Sequence, residues 1–150
     1  MDNQDVISTL NELIETCKDG EATYKTCTEH AIEHDSHLQS AFSELEHSCS
    51  TASSELQGMV VMLGGIPHNG RSTSEALHRG WVNLKIAFAG KNDEAILNEC
   101  ERGEDAAKVG YNVALGHDLP PEVRTIVERQ SRGVLVNHER IRALRDHSAI

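Results

Sequence analysis

Aromatic residues are scarce in this chain: one Trp, two Tyr and two Phe among 150 residues. Surfaces that stack nucleic-acid bases need such rings, so the shortage argues against one. Positive charge is also in short supply, with 14 Lys and Arg against 24 Asp and Glu and a formal net charge of −10. A surface of that sign repels phosphate backbones and anionic lipid, so neither nucleic acid nor membrane is expected as a partner. Long apolar runs are missing. The longest is Met59 to Leu63, far short of a membrane span, and the polar N-terminus does not read as a signal peptide. The expected compartment is the cytoplasm. The four cysteines (Cys17, Cys27, Cys49, Cys100) include no Cys-x-x-Cys pair. All fall on helical stripes expected to be buried, so they read as reduced core residues and not as disulfides or zinc ligands.

What is present is helical periodicity. Three prolines occupy only two places, and the length suits one domain spanning 1–150. Val6, Leu10, Leu13, Cys17, Gly20, Tyr24, Cys27 and Ala31 alternate spacings of four and three, which predicts a helix from Asn3 to His34. Asp35 or Ser36 can cap a second helix, His37 to Leu63, with Phe42, Leu45, Cys49, Ala52, Leu56 and Met59 on its stripe. Gly64-Gly65-Ile66-Pro67 ends it. A shorter helix, Ser74 to Ala89, carries Leu77, Trp81, Leu84 and Phe88. Capped by Asn92 or Asp93, the fourth reaches Leu115 with a stripe of small residues: Ile96, Cys100, Gly103, Ala107, Gly110 and Ala114. The fifth opens at Pro121 and runs to Arg145, with Val123, Val127, Gln130, Val134, Asn137, Ile141 and Leu144 inward.

Link lengths choose the topology. Helices one and two, and four and five, are joined by a few residues and must form antiparallel hairpins. A helix of the second one's length spans about 40 Å, and the stretch from Gly64 to Asn92 is long enough to run back along it. The expectation is therefore all-α: a ferritin-like four-helix bundle of two antiparallel hairpins, with an extra short helix in the long crossover. Within it one pattern occurs twice, Cys17-Lys-Asp-Gly20-Glu21 and Cys100-Glu-Arg-Gly103-Glu104, placing a glycine and an acid at each seam.

Several phrases carry a resemblance: Leu10-Asn-Glu-Leu-Ile-Glu15, Asp19-Gly20-Glu21 before Tyr24, Leu63-Gly-Gly65 with Pro67, His78-Arg-Gly-Trp81, Glu101-Arg-Gly-Glu104-Asp105 and Leu119-Pro-Pro121. Together they resemble a family of bacterial ferritin-like four-helix-bundle proteins carrying a domain of unknown function. The resemblance covers nearly the whole chain. It implies a bacterial ferritin-like bundle, gives His78, Arg79 and Trp81 as a family signature, and brings no established activity.

Ferritin-like bundles often hold two metals, using one Glu from each of two helices and a Glu-x-x-His from each of the others. Glu21 and Glu104 stand where single ligands are expected. Glu55-Leu-Gln-Gly58 and Gln130-Ser-Arg-Gly133 stand where Glu-x-x-His would, and both lack the histidine. In register, Glu21 should face Cys49, with Glu55 more than a turn beyond, and Glu104 should face Gln130 and Gly133. A reduced carboxylate site for iron, manganese or zinc, drawn from Glu21, Glu55, Glu101 and Glu104, is thus the alternative to no cofactor. Gln130, Asn137 and His138 read better as a polar seam that sets register. Asp19, Glu101 and Asp105 read as a solvated face near Lys18, Arg102 and Lys108, and Arg79 as a partner for Glu75 or Glu104. Glu44-x-x-His47 is unmatched on the fifth helix and near the solvent side. His30, His34 and His37 cluster where the first helix ends, where imidazole suits the helix dipole. Gly65 to Ser72 imitates a phosphate loop, but a helix precedes it where a strand is needed.

No nucleophile is marked as activated. The expected function is non-enzymatic: a bundle acting through association, in a stress-related or regulatory setting, as a homo-oligomer with a dimer favoured. The alternative is the metal-binding bundle; a third reading is a small ligand in the seam, where the glycines leave room.

Overall fold

The computed structural model describes residues 1–31, 36–70, 75–90 and 92–148, and within it five α-helices: α1 (Asn3–Ala31), α2 (Ser36–Met62), α3 (Glu75–Ala89), α4 (Asp93–Leu115) and α5 (Pro121–Ser148). Among the described residues there is no strand, and no helix is long and apolar enough to cross a membrane. The expected boundaries hold within a few residues. The α1–α2 turn at Asp35, and with it His34, lies outside the described residues, as do Thr73, Ser74 and the side chains of Glu75, Leu77 and His78.

Local chemistry ends the helices where the sequence asks. Asp2 Oδ1 accepts the Asp5 amide at 2.9 Å and caps α1. Gly64, at φ 83°, closes α2: its amide donates to the Val61 carbonyl and that of Gly65 to Val60, both at 2.9 Å. This is a Schellman motif, and its left-handed residue favours glycine. Asn92, not Asp93, caps α4 by accepting the Ala95 amide at 3.1 Å. At the far end Arg124 of α5 donates to the carbonyls of Leu115 (3.0 Å) and His117 (2.7 Å), tying α5 to the end of α4.

Helix α1 packs against α2 and α4, α5 against α4 and more lightly α2, and α3 against α4. Paired contacts run in opposite order along each pair. Cys17 meets Tyr111 and Tyr24 meets Glu104, so α1 and α4 are antiparallel. Asn137 meets Ser48 and Gln130 meets Glu55, so α2 and α5 are too. Consequently α2 and α4 point the same way, and α1 and α5 the other.

The core divides into two clusters. One joins the start of α1 to the ends of α2 and α4 and the start of α5, through Val6, Leu10, Leu13, Ile14, Leu56, Val60, Tyr111 and Val127. The other joins the opposite halves with α3, through Tyr24, Phe42, Leu45, Leu84, Leu97, Cys100 and Ile141. Each fully buried leucine contributes about 1.5–3 kcal/mol. The stripes read from sequence match these clusters on α1, α2 and α5. On α4 the expected Ile96, Cys100 and Ala114 are buried, and Leu97, Glu104 and Tyr111, spaced by seven, are buried beside them; Gly103 is exposed to the cleft, and Ala107 and Gly110 are half-buried.

Candidate functional site

Between the two clusters the helices do not close. A cleft of about 700 Å³ crosses the middle of the molecule, lined by residues of all five described helices. Small residues hold it open: Gly20 and Ala52, Gly103, Ala106 and Ala107, Gly133. A Cβ built at Gly103 or Gly133 meets nothing within 4 Å, whereas one at Gly20 falls 2.7 Å from Cys49 Sγ. The expected level of α1 against α2 at Cys49 is therefore observed, and Gly20 is needed there for close approach. The apolar lining comes from Leu84, Val134 and the half-buried Trp81, beside whose ring the Lys85 ammonium sits at 5.4 Å.

On one wall Gln130 is a junction. Its Oε1 accepts from Tyr111 Oη at 2.7 Å, and its Nε2 donates to Glu55 Oε1 at 2.7 Å and to the Ala52 carbonyl at 3.3 Å. Glu55 is further held by the Arg129 guanidinium, whose hydrogen bond keeps its carboxyl below the usual range. Tyr111 Oη also lies 3.4 Å from Cys17 Sγ. Asn137 donates to Ser48 Oγ at 3.2 Å. The expected polar seam thus consists of made hydrogen bonds linking α2, α4 and α5.

The opposite wall holds Glu104, 6% exposed, accepting from Tyr24 Oη at 2.5 Å. Burial pushes its carboxyl up from 4.5 to about 7, partly offset by the Tyr24 bond and by His138. Burial also raises the Cys17 thiol to about 11 and that of Cys49 well above its ordinary value. Cys100, facing Cys27 at 3.7 Å between sulfurs, is raised chiefly by that contact and by burial. All four cysteines are free thiols. Those three stay protonated near neutrality and are poor nucleophiles.

Below the cleft, His138 is buried on α5 with Nε2 2.7 Å from Asp105 Oδ1 and 4.0 Å from Glu101 Oε1; Arg145 pairs with the same Glu101.

The four carboxylates named from sequence do not form one ligand set. Glu21 is half-buried beside Lys18 Nζ at 3.5 Å, Glu55 is bound to Gln130 and Arg129, Glu104 to Tyr24, and Glu101 to Arg145. Glu104 does not take Gln130 as partner; Gln130 joins Tyr111 instead. The solvated face is corrected in part: Asp19 is buried against the cleft and Glu101 is half-buried, because α1 and α4 approach closely there. Arg79 is exposed and Glu104 accepts from Tyr24, while the side chain of Glu75, the other expected partner of Arg79, lies outside the described residues. Glu44 is exposed and pairs with Arg140 at 2.5 Å. His30 lies against Phe88 of α3, with ring centroids 4.7 Å apart and planes tilted by 31°. The phosphate-loop likeness follows a helix end, and Arg71 and Ser72 lie outside the described residues. Tyr111, Arg129 and Arg145 were missed as site residues; the seven-residue spacing from Leu97 through Glu104 was the available signal for Tyr111.

A family model described as a domain of unknown function (DUF2383) matches residues 5–117. No curated protein matches the chain.

Proposed function

The chain belongs to the family of this domain of unknown function, DUF2383, and from that premise we propose a non-enzymatic, ferritin-like four-helix bundle that takes up a small, largely apolar molecule in its central cleft. The bundle is α1, α2, α4 and α5, with α3 in the long crossover. The helix directions and the crossover support this reading, since a return segment is what lets α2 and α4 run the same way. The cleft is the observation that carries the function. Its volume falls in the range of small-molecule sites, its exposed lining is mostly apolar, and Tyr111, Gln130 and Glu55 on one wall hydrogen-bond one another. Two helical glycines without steric need, Gly103 and Gly133, each cost roughly 0.5–1 kcal/mol relative to alanine. An open cleft is what their missing side chains leave behind.

Trp81 lines the cleft and is the sole tryptophan, so its emission reports occupancy. Titration with 1-anilinonaphthalene-8-sulfonate and with medium-chain alcohols should saturate at one molecule per chain and shift Trp81 emission. Gly133→Leu should abolish the shift while leaving the melting temperature unchanged or higher. If the filled variant binds these probes as well as the parent does, the cleft is not the site.

Association as a homodimer is part of the same proposal. Val109 and Val113, one turn apart on α4, are exposed apolar residues on the outer face. Sedimentation should show a dimer that Val109→Lys converts to monomer.

A further inference from the structure

Glu101, Asp105 and His138 meet beside the cleft, not in it: only Glu101 was anticipated as a ligand, Asp105 lies one turn along the same helix, and His138 is brought to them by the packing of α4 on α5. We propose that these three side chains form a binding site for one divalent first-row metal ion, of the zinc class, that exchanges with the Arg145 guanidinium. One atom from each residue lies within 4.8 Å of the others. Glu101 and Asp105 stand four apart on α4 and share a face. The third donor is not acidic: His138, side chain 9% exposed, comes from α5 with Nε2 aimed between the two carboxylates.

Distances suit the ion. Ligand atoms about 2.0–2.2 Å from a tetrahedral zinc are about 3.3–3.5 Å apart. The two measured separations, 2.7 and 4.0 Å, bracket that span, so a small side-chain rotation converts a hydrogen bond into coordination. Two carboxylates and one imidazole are the borderline donors that zinc, cobalt and manganese accept. Asp105, with its side chain 58% exposed, gives a path from solvent, and a water can take the fourth position. In the structure the neutralising cation at Glu101 is Arg145, whose side chain is 26% exposed. Metal entry therefore frees a guanidinium at the end of α5, and metal and arginine compete for one carboxylate.

Protein made without a histidine tag and stripped with chelator tests this directly. Titration with zinc should show one equivalent bound per chain, and cobalt should give a visible absorption band of a low-coordinate site. Asp105→Asn, an exposed and nearly isosteric change, should weaken binding at least tenfold; His138→Gln should do the same. Arg145→Gln should tighten it several-fold, an effect a general loss of structure cannot mimic. Zinc binding that Asp105→Asn leaves unchanged would place the ion on the other histidines and overturn the site. So would the absence of binding in both the parent and Arg145→Gln at 100-fold excess. The probe titration of the cleft should be indifferent to Asp105→Asn, so the two readings fail separately.

Discussion

The two copies of Cys-x-x-Gly-Glu are near twins in sequence and opposites in surroundings. In the first, Gly20 is pressed against Cys49 and Glu21 lies half-exposed beside Lys18. In the second, Gly103 faces open space and Glu104 is buried against Tyr24 of the other copy's helix, its carboxyl raised to about 7. A lysine three residues before Glu21 holds it at the surface, whereas Glu101 in the same place before Glu104 is taken by Arg145. The same three shared residues therefore give a half-exposed, lysine-paired acid in one place and a protonatable core acid in the other; tertiary neighbours decide.

The largest way to test the contrast is through pH. In the unfolded chain Glu104 ionises near 4.5; folded, it keeps its proton to about 7. The penalty is complete above about pH 7 and is relieved as pH falls toward 4.5, so this group makes the protein more stable in acid. At about 1.4 kcal/mol per unit the difference is on the order of 3 kcal/mol. Tyr24, Asp105 and His138 are the groups that act on Glu104 in the fold. Urea unfolding of metal-free parent minus Glu104→Gln, followed across that pH range, should isolate the term.

Next in size is the glycine pair. Gly20→Leu places its Cβ 2.7 Å from Cys49 Sγ and should cost about 2–3 kcal/mol by overpacking. The matching Gly103→Leu should cost nothing or stabilise by about 0.5 kcal/mol, read as opposite shifts in melting temperature. Tyr111→Phe deletes the hydroxyl that joins Cys17 to Gln130 and should cost about 1 kcal/mol; its partner change, Tyr24→Phe, removes a hydrogen bond that holds the Glu104 carboxyl down, and should move the pH transition of Glu104 upward. Smallest is the rim: breaking the Glu44–Arg140 pair with Glu44→Gln should change stability by under about 0.5 kcal/mol.

Five helices, their ends and three of the inner faces could be read from apolar spacing, because Leu, Val and Ile at intervals of three and four have one sensible burial. The face of α4 could be read in part: Ile96, Cys100 and Ala114 were expected inward and are buried, but Gly103, Ala107 and Gly110 carry almost no burial preference, and Leu97 and Tyr111, buried beside them, were not named. Glu104 was expected beside the seam; its partner there, 80 residues away at Tyr24, was not. The junction at Gln130 was anticipated as a polar interruption. Its partners were not, since they depend on how far α5 slides along α2. The group at Glu101, Asp105 and His138 depends on the same register between α4 and α5, which link length bounds only to within a turn or two.

Asn11 clasps the exit of α2. Its Nδ2 donates to the Ile66 carbonyl at 3.2 Å and its Oδ1 accepts the His68 amide at 2.8 Å, while Asn3 reaches Leu63 and Gln57 reaches His68. The first hairpin is thereby riveted at that extremity. The other extremity is closed by the chain itself, where α1 runs on into α2, so the pair is tied at both ends. Amide exchange should therefore run slow around Gly65.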